Sequence, residues 1–361
     1  MKRFAMTAAV LAAAATATHA QVPGDIIFVT DDGDLNWTPF AGGGAFNILS
    51  FSSDPTVDRL LDLEIGPDHS LLIGSGPAPV GDPSLGRIIR VDDVFGANSV
   101  STITQGDPVQ NPTGLIYDPA ADRIFAVNNP GSQPALPAPR IFETVLEIAP
   151  DGSSVQDVLN QPNPIDFPAF NAGGDIELDP QNPGSYVVSA IEGGEFPYRT
   201  NGQRGSALIR INPDGFGAFD QEVIVDLSDT SETGLSEAVG RTVGFAYSDD
   251  NTIFVSSFDF DDNTGTIYRV DLDNNGDFVS ITDIMPGETV FAEYMEYNPF
   301  SDSIVFSSRF FPGVFEIGLD GSGLRNIYDG GFTRGLTVFV PTPATAALLA
   351  GAGLIGFRRR R

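Results

Sequence analysis

Short apolar runs separated by polar turns recur along this chain, and long helical patterns are absent. One pattern appears five times: an apolar strand, a turn carrying Asp, Asn or Pro, and a second apolar strand. It begins at Leu63 (LEIGPDHSLLIGS), Leu115 (LIYDPAADRIFAV), Ile176 (IELDPQNPGSYVVSA), Phe245 (FAYSDDNTIFVSS) and Met295 (MEYNPFSDSIVFSS). A third strand follows each copy: RIIRVD from Arg87, TVLEIAPDG from Thr144, ALIRINPDG from Ala207, TIYRVDLDNNG from Thr266 and GVFEIGLDG from Gly313. Most copies add a fourth, such as VIVDL from Val223 and FVSITDI from Phe278. Four antiparallel strands per repeat is the unit of a β-propeller blade. The pattern therefore predicts an all-β domain of six blades, with seven as the alternative count.

The remaining blade reads as split between the two ends of the domain. Gly335 to Phe339 repeats the first-strand pattern, and no second strand follows it. Asp25 to Thr30 (DIIFVT) matches an orphaned second strand, with Ala45 to Phe51 as the third and Val57 to Leu61 as the fourth. Pairing these pieces would close the ring and remove the exposed edges of an open array.

In such a ring the first-to-second and third-to-fourth turns share one face and are short here. The second-to-third loops and the blade connections share the other and are long. Long loops on a rigid ring are where binding residues gather. The reading places Trp37, Phe196, Tyr198, Arg199, Arg204, Asp259, Asp261, Asp262, Phe310 and Phe311 there.

Composition adds two facts. There is no cysteine, which excludes disulfides and thiolate metal sites. The charge is strongly uneven. Six of the 19 basic residues sit at the two ends, which leaves 13 arginines against 48 acidic residues, about −35 for the middle. Such a surface repels nucleic acid and anionic lipid, and suits either a salty medium or cation binding.

The acidic motif Asp271-Leu-Asp273-Asn-Asn275-Gly276-Asp277 fits the first half of a calcium loop. Position twelve is Thr282 rather than glutamate, and the repeat aligns the motif with the hairpin turns Asp151-Gly152, Asp214-Gly215 and Asp320-Gly321. A turn and a calcium site both remain open as readings, and calcium is the one candidate cofactor. Asp259, Asp261 and Asp262 form a second candidate cation site on the loop face. Outside the first 20 residues, His69 is the only histidine, and it falls in a short turn, which argues against a triad base or a zinc site. Six-bladed hydrolases of the gluconolactonase type use carboxylate and asparagine ligands around the central channel. The comparable positions here are Asp62, Thr113, Asp175, Glu293 and Arg334.

Both ends read as sorting signals. Residues 1–20 carry Lys2 and Arg3, an alanine-rich apolar stretch, and small residues through Ala20, the pattern of a secretory signal peptide. Residues 341–361 follow Val340 with Pro341, Thr342 and Pro343, an apolar run over 344–357, and Arg358, Arg359, Arg360 and Arg361. The run of 14 residues would span about 21 Å as a helix, short of the roughly 30 Å hydrocarbon core. A transient membrane insertion fits it better than a permanent anchor.

This three-part tail resembles the PEP-CTERM sorting signal, with Thr342 where the usual Val-Pro-Glu-Pro has glutamate. The resemblance covers roughly the last 22 residues. It implies a Gram-negative exosortase-like processing enzyme as a partner, beside signal peptidase, and an extracellular or cell-surface destination. The expectation is a propeller over residues 21–340 that acts as a binding module, for exopolysaccharide or another surface protein, rather than as an enzyme. A metal-dependent lactonase-like hydrolase is the alternative.

Overall fold

A computed structural model describes residues 22–51, 59–76, 86–128, 144–158, 173–193, 205–213, 219–248, 251–259, 264–308 and 311–340. The chain opens with β1 (Ile26–Thr30), β2 (Asp34–Thr38) and β3 (Phe46–Ser50), three strands of one sheet. Four complete antiparallel sheets follow. The first two are β4 (Arg59–Ile65), β5 (Leu71–Gly76), β6 (Arg87–Asp92) and β7 (Ser99–Gln105), then β8 (Pro112–Asp118), β9 (Arg123–Asn128), β10 (Thr144–Ile148) and β11 (Val155–Asp157). The next two are β12 (Gly173–Leu178), β13 (Tyr186–Gly193), β14 (Gly205–Pro213) and β15 (Phe219–Asp226), then β16 (Arg241–Tyr247), β17 (Thr252–Asp259), β18 (Thr264–Leu272) and β19 (Phe278–Asp283). A last full sheet has β20 (Tyr294–Asn298), β21 (Ser303–Ser307), β22 (Val314–Gly318) and β23 (Arg325–Tyr328). Then β24 (Thr333–Val338) returns to complete the first sheet, in the order β24-β1-β2-β3.

Six four-stranded sheets result, and the first strand of each lies beside those of its neighbours in the cycle β24, β4, β8, β12, β16, β20. This is a closed six-bladed β-propeller. Each blade is covered on both sides, so its inner strands, such as β1 and β5, are buried on both faces, while the outermost strands β3 and β7 meet solvent. In β1, Ile27 and Val29 pack with Leu63, Ile73 and Ile89 of the following blade. Ile26 and Phe28 pack with Val305, Val314 and Ile327 of the preceding one. The strand's period of two thus serves two inter-blade cores.

The split closing blade is present, with Phe28 opposite Leu336 and Ile26 opposite Val338. Its outer strands differ from the sequence reading. The third strand is Asp34–Thr38, and the segment read as third, Phe46–Ser50, is the fourth. Leu60 and Leu61 belong to the first strand of the next blade instead. The reason is local: a three-residue turn with Gly33 at φ 83° lets β2 fold straight back on β1, although Asp34, Asn36 and Thr38 make it look like a loop. The predicted terminal segments 1–20 and 341–361 lie outside the described residues.

The Asp/Asn-Pro turns after the first strands hook successive blades together. Asp118 accepts the Ala120 and Ala121 amides and also the Tyr186 hydroxyl of the next blade, at 3.0 Å. Asp179 accepts the Gln181 and Asn182 amides and pairs with buried Arg210 at 2.7 Å. Arg210 in turn donates to the Gly276 carbonyl of the following blade. Asn298 accepts the Phe300 amide and donates to the Gly24 carbonyl across the closure. Tyr186→Phe leaves the Asp118 carboxylate one donor short in a buried place. It is expected to cost about 1.5–2 kcal/mol, as for a hydrogen bond to a charged group, read as a lower urea midpoint at unchanged slope.

Candidate functional site: an acidic central channel

The six inner strands carry two alternating sets of residues. At one position of the repeat stand Glu64, Ile116, Glu177, Ala246, Glu296 and Thr337 in turn around the ring. Two positions earlier stand Asp62, Gly114, Asp175, Gly244, Tyr294 and Gly335. Every second strand is therefore acidic at the first position, and every second strand has glycine at the other. The glycines let neighbouring backbones meet. A Cβ on Gly335 would fall 2.5 Å from the Cα of Asp62, and one on Gly114 would fall 2.8 Å from the Cα of Asp175. Pairs of blades, rather than single blades, are the chemical repeat of the channel.

Irregular pairing re-aims these residues. The register shifts between Leu60 and Leu63, Gly173 and Ile176, and Thr242 and Phe245, and such bulges turn side chains away from a regular pleat. Asp62 accepts the Leu115 amide of the neighbouring inner strand at 2.6 Å. Asp175 accepts the Ile176 amide at 2.9 Å and the Phe245 amide at 3.4 Å. Both carboxyls are buried and stitch one inner strand to the next.

Loss of hydration pushes the Asp62 carboxyl up to about 7, against the lowering effect of its amide bonds. Burial also holds Glu64, Asp175, Glu177 and Glu296 well above the usual carboxylate range, and mutual repulsion adds to it. Glu64 is raised by Glu177, Glu177 by Glu296, and Glu296 by Glu64, so the three glutamates from alternate blades lie within electrostatic reach of one another. Glu64, Glu177 and Glu296 keep partial exposure, as side chains facing a channel do. Arg334 pairs with Asp31 and lies 3.6 Å from Glu293, and Arg334 and Arg59 also act on buried Tyr294.

Of the positions expected around the channel, Asp62, Asp175, Glu293 and Arg334 come together there, and Thr113 sits half-buried at the bulge of β8. Glu64, Glu177 and Glu296 were missed. Their signal was a glutamate at the second position of three repeat copies, LEIGP, IELDP and MEYNP.

The acidic motif at the end of β18 forms a hairpin turn. Asp273 accepts the Asn275 and Asp277 amides at 2.7 and 3.1 Å, and Gly276 takes φ 81°. Asp271 pairs with Arg269 at 2.7 Å and accepts from Ser280 at 2.9 Å. Asp151 and Asp320 cap their own turns in the same way. Among the described residues no three histidine, aspartate or glutamate side chains are grouped to hold a metal ion. Asp259 ends β17, while Asp261 and Asp262 lie outside the described residues, as do Phe196, Tyr198, Arg199, Arg204 and Phe310. Phe311 is exposed on the loop face as expected. Trp37 is not on that face. It stands opposite Ile27 at the closing end of the blade and contacts Phe95 in the β6–β7 turn, so it belongs to the short-turn face.

No protein-family model matches the chain, and no curated protein matches its sequence. Solved structures do resemble it. A chain in the crystal structure of a nidogen/laminin complex superposes with a TM-score of 0.61 at 11% identity, covering 88% of this chain and 98% of that one. A protein from Lactobacillus plantarum gives 0.51 at 15% identity, over 88% and 100%. The tricorn protease gives 0.50 at 14% identity, over 89% of this chain and 27% of that one. At such identities the likeness shows the fold alone, and the fold is that of the β-propellers.

Proposed function

We propose that this protein is an exported β-propeller that is displayed at the cell surface or in the surrounding matrix and binds a partner through its long-loop face. One observation carries the reading. The two ends of the domain meet in one place: the Gly24 amide donates to the Phe339 carbonyl at 3.1 Å, and the Phe339 amide to the Asp25 carbonyl at 2.7 Å. The ring is thus complete between residues 24 and 339, and both sorting segments attach to it at one point on the short-turn face. The second-to-third strand connections lie on the opposite face. Exopolysaccharide or another surface protein fits as partner, with signal peptidase and an exosortase-like enzyme acting on the ends.

A metal-dependent hydrolase would need ligands converging on one point of the channel. Asp62 and Asp175 are instead engaged with backbone amides of neighbouring strands. The binding reading needs no such centre.

In a Gram-negative host with an exosortase, replacing Arg358 to Arg361 by serine should leave the protein unprocessed and in the wrong fraction, since the positive end no longer holds the tail on the inner side. Mature protein of unchanged size in the same location would refute the sorting part. Retention of the unmodified protein on the purified matrix polysaccharide, or on the washed cell surface, tests the binding part separately.

A further inference from the structure

The short-turn face carries an apolar arc around the point where the chain ends leave. Trp37 stacks on Phe46 at 4.8 Å, meets Phe95 edge-on at 6.4 Å, and Phe95 meets Phe339 at 5.3 Å. Phe46 and Phe95 are 36% and 38% exposed, and Val340 is 48% exposed. These rings come from β2, β3, the β6–β7 turn and the closing end of β24, so the arc exists only because the ring is closed.

We propose that this arc is a lipid-contact surface, which rests the short-turn face of the propeller on a bilayer while the tail is inserted. The inference rests on the tail reading above. Only Pro341, Thr342 and Pro343 separate Val340 from the apolar run, about 10 Å of fully extended chain. With that run in a membrane, the arc is held at the level of the headgroups, where aromatic side chains partition well. The lipid it fits is zwitterionic. The strongly negative chain, with exposed Asp93 two residues from Phe95, repels anionic headgroups. The propeller then faces outward with its long loops, the side proposed to bind.

Trp37 is the only tryptophan of the chain; it is buried, 6% exposed, in contact with Phe46 and Phe95, so its quenching reports bilayer bromines that come close to those two exposed rings. The full chain is reconstituted into phosphatidylcholine vesicles with brominated acyl chains, and flotation and Trp37 fluorescence are measured together. The expected result is flotation with quenching of Trp37, weakened when phosphatidylglycerol is added. Phe46→Ser with Phe95→Ser should float equally, lose most of the quenching and still melt in one cooperative transition, at a temperature lowered by the loss of the ring contacts to Trp37 and Phe339. If the pair impairs folding, Phe95→Ser alone, at an exposed turn, serves. Flotation without quenching, or quenching that ignores these substitutions, overturns the proposal and leaves the tail reading intact. Failure to float overturns the tail reading and the proposal with it.

Discussion

The melting temperature of this propeller is expected to fall as the pH rises from 5 to 8. The direction follows from the channel. A carboxyl whose pKa is raised by folding keeps its proton in the native state after the unfolded chain has released it. The stability this gives is complete below the unfolded pKa, near 4, and is lost as pH rises through the folded value. For Asp62, with its value near 7, the loss between pH 5 and 8 is on the order of 2 to 3 kcal/mol. Glu64, Asp175, Glu177 and Glu296 shift in the same direction, so the total exceeds that of Asp62. For a domain this size, a drop of about 5 °C or more is expected. The window is informative because ordinary surface carboxylates are already ionised at pH 5. The triple variant Glu64→Gln, Glu177→Gln, Glu296→Gln should flatten the slope and melt higher than the parent at pH 8. A parent curve that is flat or rises toward pH 8, at constant ionic strength, would mean that channel water solvates these groups fully.

Removal of the closing strand should have a larger effect still. Deleting residues 333–340 takes away the inner strand of one blade and, with it, the pairing of Phe28 to Leu336 and Ile26 to Val338. Burial of Leu336 and Val338 alone contributes on the order of 4 to 6 kcal/mol. The deletion also uncovers β1 on one edge and the inner strands β4 and β20 on their flanks. A stability of 5–15 kcal/mol, typical of a domain, does not survive such a loss. Circular dichroism on heating should show no single cooperative transition. A peptide covering residues 331–340, added in excess, should restore part of it. A truncated protein that melts like the parent would show that the ring does not depend on its closure.

Five of the six blades could be read from the sequence because each repeats one chemical sentence: apolar strand, a turn carrying Asp, Asn or Pro, apolar strand, and a third strand ending in a turn with glycine. The turns have to recur, since their side chains cap the local amides and, at Asp118 and Asn298 directly and at Asp179 through Arg210, also grip the next blade. The closing blade was harder. Asp34, Asn36 and Thr38 alternate with Leu35 and Trp37, and a strand half composed of polar residues reads as a loop until its pairing partner is known. The channel glutamates were visible as letters but not as a set. Their alternation runs across blades more than a hundred residues apart, and only the ring puts Glu64, Glu177 and Glu296 together. Trp37 was assigned to the wrong face for the same reason that β2 was missed. With no strand assigned to it, its direction could not be followed.

The pairing of β1 with β24 also sets a schedule. Ile26 to Thr30 is among the first strands made, yet its inner partner is synthesised about 300 residues later. At roughly 5–20 residues per second, that delay is on the order of 15 to 60 s. Throughout it, an apolar strand with one bare hydrogen-bonding edge waits for a partner, and the same strand on another nascent copy could pair with it. The acidic residues spread over every blade are already present on each growing chain. At low ionic strength they hold neighbouring copies apart until the last strand arrives.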